Sequence, residues 1–199
     1  MTLKRILTST LLLIALSVFA GTAQADDFSF FVGAALPGTA KHDGAEIPLN
    51  NSVMYGLRYG FDLMPILGLE HTIALSHNFL ASDAVNCPLP GAGGTSGCHP
   101  MWEESKGFLY NSNLTFGYQL DQRTIPFLTA GVGLIHQYGD RNLPVGTRFA
   151  FNYGGGVKFP NLAGPVGARM DLRGYRAGIF SRKVNMFELS FGLMISLWQ

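Results

Sequence analysis

The chain has 199 residues, 47% of them hydrophobic and only 14% charged, with 25 glycines, 15 phenylalanines and a formal net charge of +1. A charge this close to balance excludes the basic surface that nucleic acid or another polyanion requires. A mix rich in glycine and phenylalanine and poor in helix formers favours strands in close backbone contact.

The first 25 residues read as a secretory signal peptide. Lys4 and Arg5 give a positive start, Leu11 to Ala20 form an apolar run, and Ala23-Gln24-Ala25 supplies a small-residue cleavage site. The run is short for a membrane helix, so a retained helical anchor is the weaker alternative. Cleavage would leave 12 basic and 13 acidic side chains, and one domain over 26–199. No later apolar run approaches the roughly 20 residues of a membrane helix, so any spanning structure must be a closed barrel.

Strands are predicted over 27–36, 51–62, 66–80, 106–120, 125–138, 147–159, 165–175 and 186–198. The connections between them sort by length. Residues 37–50, 81–105, 139–146 and 176–185 are intermediate to long, whereas 63–65, 121–124 and 160–164 are tight. Outer-membrane barrels have short periplasmic turns and longer outside loops, and a soluble meander has no reason to copy them.

Within the strands, side chains alternate. One parity of 53–62 reads Val53, Tyr55, Leu57, Tyr59, Phe61, and the other Met54, Gly56, Arg58, Gly60, Asp62. Residues 166–173 and 187–197 behave alike, giving each strand one apolar face and one carrying charges and glycine. Alternation alone does not say which face is inside, and a soluble lipocalin-type barrel is the alternative. The leader, the sorted loops and two aromatic groups favour the membrane. Tyr59, Phe61, Phe116, Tyr118 and Phe159 are predicted near the short turns, and Phe79, Tyr110, Phe149 and Phe187 near the long loops, as interfacial girdles. The expected fold is a closed, all-β, antiparallel up-and-down transmembrane barrel of about eight strands.

That orientation sends Arg58, Asp62, Glu70, Lys158, Arg169, Asp171, Arg173 and Glu188 into the lumen, four of each sign. Balanced charges in a narrow, poorly hydrated lumen are expected to pair across it. Small inward residues (Gly56, Gly60, Gly131, Gly133, Gly154, Gly156, Gly192) are expected to leave room for the arginines. An eight-stranded barrel is filled by its own side chains, so a structural plug is preferred over a gate or selectivity ring.

Other chemistry is thinly supported. Cys87 and Cys98 share one Gly/Pro-rich stretch and are expected to form a disulfide, since the adjacent His99 does not complete a metal-ligand set. Gly154-Gly155-Gly156 and Gly131-Val132-Gly133 lack the Lys-Ser/Thr and helix of a phosphate loop. The histidines His42, His71, His77, His99 and His136 show no metal-site spacing, and no cofactor is expected. His71 is predicted near mid-strand on the lipid face, which implies either a bulge or an imidazole paired to a neighbouring strand. For hydrolysis, Ser76 and His77 are consecutive and point oppositely. Ser112 shares outward parity with His71 and His77, but no outward carboxylate completes a triad.

The stretches Pro126 to Gly133, Phe151 to Lys158 and Gly167 to Tyr175, with a weaker likeness over 51–62, resemble the OmpA-like outer-membrane barrel domain. The resemblance implies a fold rather than an activity, because that family holds adhesins, narrow pores and membrane-tethering proteins. No periplasmic peptidoglycan-binding domain follows, so anchoring to peptidoglycan is not expected. The family's terminal assembly signal usually ends on an outward aromatic, whereas here the outward parity ends at Leu197, before Trp198 and Gln199. The same half is similar to lipid A deacylase barrels, but 170–175 lacks the His-x-Ser pair which that family places there.

The leading expectation is therefore a non-enzymatic integral outer-membrane protein. Its partners would be outer-membrane lipid, the barrel-assembly machinery during biogenesis, and an extracellular ligand or surface met by 81–105. Trp102, Glu103 and Glu104 are the candidate contact residues of that loop. The alternatives are a narrow path for a small or apolar solute, and a lipid A-modifying hydrolase.

Overall fold

The computed structural model describes residues 27–42, 45–79, 85–86, 99–100, 105–121, 124–139, 146–178 and 184–196. The expected leader, Cys87, Cys98, Trp102, Glu103, Glu104 and Leu197 lie outside the described residues.

Eight long strands run alternately up and down: β1 (Asp27–Pro37), β2 (Ser52–Met64), β3 (Leu67–His77), β4 (Lys106–Gly117), β5 (Ile125–Tyr138), β6 (Thr147–Ala163), β7 (Val166–Ala177) and β8 (Val184–Ser196). Each pairs antiparallel with its neighbours in sequence, and β1 closes the ring on β8 in a register from Asp27↔Ser196 to Pro37↔Met186. Two short two-stranded ribbons, Thr39–His42 with Ala45–Pro48 and Val85–Asn86 with His99–Pro100, stand on the longer connections. No helix among the described residues is long and apolar enough to cross a membrane. The fold is the expected closed, antiparallel, up-and-down barrel.

The alternation resolves with the apolar parity outward. On β8, Phe187, Leu189, Phe191, Leu193 and Ile195 are exposed, while Met186, Glu188, Ser190 and Met194 between them are buried. Elsewhere Phe30, Val32, Val53, Leu114, Phe116 and Leu128 cover the outer wall in the same way. Meanwhile Arg58, Arg169 and Arg173 are among the largest fully buried side chains. A water-soluble barrel has the opposite polarity.

Some boundaries move, for local reasons. Strand β3 stops at His77 rather than at residue 80, because Asn78 takes a left-handed backbone (φ 53°) and turns the chain. Phe79 is therefore no girdle residue. It folds into the mouth of the lumen, its ring against Gly107, where an added Cβ would lie 2.4 Å from the ring. Three contacts hold it: its amide donates to Ser105 O (2.9 Å), and its carbonyl accepts from Ser105 Oγ (2.5 Å) and Gln137 Nε2 (3.1 Å). Strand β6 runs on to Ala163 through an irregularity between Phe159 and Ala163, where Asn161 also has positive φ (55°). Tyr110 faces outward as expected, but four positions in from the Lys106 end of its strand, stacked on His71.

Candidate functional site

The lumen has three levels. At the long-loop end it is mostly apolar: Met54, Leu109, Ile135, Met186 and Val184 fill it with Ala35, Ala74, Ala150 and Ala177, under Leu49 and Phe79. The polar groups among them are hydrogen-bonded, Ser52 Oγ to Ser76 Oγ (3.1 Å) and Gln137 Nε2 to Ser105 Oγ (2.6 Å). Close-packed side chains of this kind exclude water from the outer mouth.

Below them lies the ion-pair cluster. Asp171 on β7 is its hub and accepts from all three arginines. Arg169 grips it twice, from Nε to Oδ2 (2.9 Å) and from Nη2 to Oδ1 (2.8 Å). Arg173 donates from Nη2 (2.8 Å), and Arg58 reaches across the lumen from β2 to Oδ2 (3.1 Å). Glu70 on β3 takes the other side of Arg169 (2.8 Å) and of Arg173 (2.6 Å). Glu188 on β8 pairs with Arg58 and accepts from Tyr175 OH (2.6 Å) and Ser190 Oγ (2.6 Å). The order follows from the pleat: residues 169, 171 and 173 share the inward face of one strand, so the carboxylate stands between two guanidiniums. Three cations and three anions leave no net charge. The cluster is capped on both sides by rings, with the Arg58 guanidinium 3.7 Å from the Phe31 centroid and that of Arg169 5.1 Å from Phe127.

The third level is an open vestibule at the short-turn end, about 260 Å³, lined by Asp27, Asp62, Thr115, Phe127, Lys158 and Met194 among others. Here the structure departs from a single eight-residue network. Lys158 does not reach the central cluster and instead pairs with Asp27 at 2.5 Å. Asp62 lines this vestibule as well. The remaining six charged residues do converge. Asp27, Tyr175 and Ser190 belong to the polar interior too, and inward parity was the signal that marked them.

The inward glycines serve more than the one purpose expected of them. Gly192 does border Arg169 (Cγ 3.2 Å from an added Cβ). Gly131 and Gly133 instead seat Asn113 and Asn111, whose Oδ1 atoms would lie 2.0 and 2.3 Å from the added Cβ atoms.

On the outer wall, His71 is paired to the neighbouring strand, the second of the two expectations for it. Its Nδ1 lies 3.0 Å from Tyr110 OH on β4, and its ring is stacked between Tyr110 (6.0 Å) and Tyr59 (5.2 Å). His136 meets Thr147 Oγ1 at 2.7 Å, at the long-loop rim. Among the described residues no group of three or more His, Cys, Asp or Glu side chains is placed to hold a metal.

No family model and no curated protein sequence matches the chain. Solved structures do. Neisserial surface protein A shares 14% identity over 85% of this chain and 97% of its own, with a TM-score of 0.58. The outer membrane protein OprG from Pseudomonas aeruginosa shares 13% over 87% and 98%, with a TM-score of 0.54. At such identities the likeness is one of fold, a small closed barrel of the outer-membrane kind.

Proposed function

We propose that this chain is an integral protein of the bacterial outer membrane with a sealed lumen, acting as a structural or surface-interaction protein rather than as a pore or an enzyme. The observation that carries the proposal is the inverted polarity: ion pairs along the axis, large apolar side chains on the outside. Only hydrocarbon solvates such an exterior. The dimensions agree. Ile66 in the short turn and Leu75 near the far end of β3 are both outward and apolar. At ~3.3 Å per residue and a tilt of ~40° they lie about 23 Å apart along the barrel axis, close to the ~25 Å apolar band of such barrels.

Two barriers in series support the sealed lumen, a neutral ion-pair cluster and the apolar packing outside it. Supporting the non-enzymatic reading, His71 gives its Nδ1 to a phenol rather than to an orienting carboxylate. The stretch 81–105, with the expected Cys87–Cys98 bridge and Trp102, Glu103 and Glu104, is the proposed meeting point with an extracellular ligand or surface.

Two measurements test this. The purified protein should float with liposomes and migrate differently on gels before and after boiling, as a folded barrel does. In planar bilayers it should give no steady channel, and neither should Arg58→Ala or Arg169→Ala, because the apolar level stays shut. Steady conductance that either substitution alters would overturn the sealed lumen, and recovery as a detergent-free soluble species would overturn the membrane assignment.

A further inference from the structure

Between the two rims of the barrel, the outward positions of the described strands are apolar or aromatic, with two exceptions, His71 and Ser112. They stand directly opposite each other in the β3–β4 register, near the midpoint of β3 (Leu67–His77). Tyr110 occupies His71 Nδ1. Among the described residues, His71 Nε2 and Ser112 Oγ have no hydrogen-bond partner. In the middle of a bilayer, polar atoms left facing hydrocarbon are costly, and water is not there to satisfy them.

We propose that this patch is the contact face of a homodimer within the membrane, the occupant of the β3–β4 wall being a second copy of the same chain. The proposal rests on the outer-membrane reading above. All copies enter the membrane in one orientation, so two of them are related by a two-fold axis along the membrane normal, and any patch meets its own kind at its own depth. Imidazole and hydroxyl groups each donate and accept, so this patch complements itself, whereas a patch of one charge would repel itself.

The surrounding shape is also reciprocal. On the β2 side of the patch a groove of about 320 Å³ is lined by Phe30, Tyr55, Gly56, Leu57, Ile73 and Leu75. On the β4 side Phe108, the register partner of Leu75, is 37% exposed. A two-fold axis near His71 carries Phe108 of each copy toward the groove of the other. Acyl chains would fill the groove but would leave the polar atoms unpaired.

The test uses the full mature chain in liposomes at low protein-to-lipid ratio, with Cys87→Ser and Cys98→Ser as background. Leu114→Cys, outward on β4 beside Ser112, is compared with Leu193→Cys on β8, at a similar distance from the short-turn end. A short bifunctional maleimide should cross-link Leu114→Cys into dimers several-fold more than Leu193→Cys. Adding His71→Leu with Ser112→Ala should lower that yield to the control level, while the heat-dependent gel shift shows that each variant is folded. Equal yields at the two positions, or a yield indifferent to losing His71 and Ser112, would overturn the dimer. Flotation separates the outcomes: protein that floats without selective cross-linking sinks the dimer alone, and protein that does not float sinks the membrane reading with it.

Discussion

Asp171 shows how the interior is balanced at the scale of a residue. Each of its oxygens is engaged by guanidinium groups, and each of those arginines has a second carboxylate. A cluster of this type contributes little net stability against an apolar replacement, yet breaking it leaves an uncompensated charge in a dry interior. Arg58→Ala, leaving three carboxylates to two arginines, should therefore destabilise the barrel by about 3–5 kcal/mol. Adding Glu188→Gln should restore part of that loss, because neutrality returns. Urea unfolding of the lipid-embedded barrel, run as a double-mutant cycle, reads both effects, and a costless Arg58→Ala would refute the cluster as drawn. Parity made the charged members visible in the sequence, since each sits among small or polar inward neighbours. It did not reveal that Lys158 falls short of Asp171. That depends on the stagger between strands, which places Lys158 opposite Arg169 across the β6–β7 pair and nearer the short turns. Its true partner, Asp27, opens the first strand, beside the expected cleavage site where composition speaks for processing rather than packing.

At the scale of the element, the strands were legible because period-two alternation survives in nearly all of them. Their ends were less so. Asn78 and Asn161 take backbone conformations that no apolar pattern announces, and each reshapes a strand end. Nor did the pattern say why β5 needs its glycines. Gly133 lets β4 and β5 lie so close that an added Cβ would sit 1.9 Å from Tyr110 O. Gly133→Ala should thus cost about 1–3 kcal/mol through overpacking. Gly38→Ala, whose nearest neighbour would be Asn185 O at 3.7 Å, should leave the unfolding midpoint in place. Comparable midpoints for the two variants would mean that the β4–β5 approach is looser than drawn.

At the scale of the molecule, the described residues form a polar vestibule at one end of the lumen and mostly apolar packing at the other, and this asymmetry was hidden from the sequence. Inward Met54, Leu109, Ile135 and Met186 look like lapses in an apolar-out pattern when each strand is read alone. Only closure of the barrel brings them into one buried cluster, together with Phe79. The two levels differ in what reaches them. Thr115 and Leu109 lie on the same inward face of β4, but Thr115 borders the vestibule and Leu109 lies in the apolar level. In a Cys87→Ser/Cys98→Ser background, Thr115→Cys in the folded barrel should react with a charged, water-soluble maleimide. Leu109→Cys should react only after heat unfolding, because a charged reagent entering from the short-turn end must first part the Asp171 cluster, and one entering from the long-loop end meets Phe79. Labelling of folded Leu109→Cys at the rate of Thr115→Cys would mean that a water-filled path crosses one of those barriers, and the sealed-lumen reading would then give way to a conducting one.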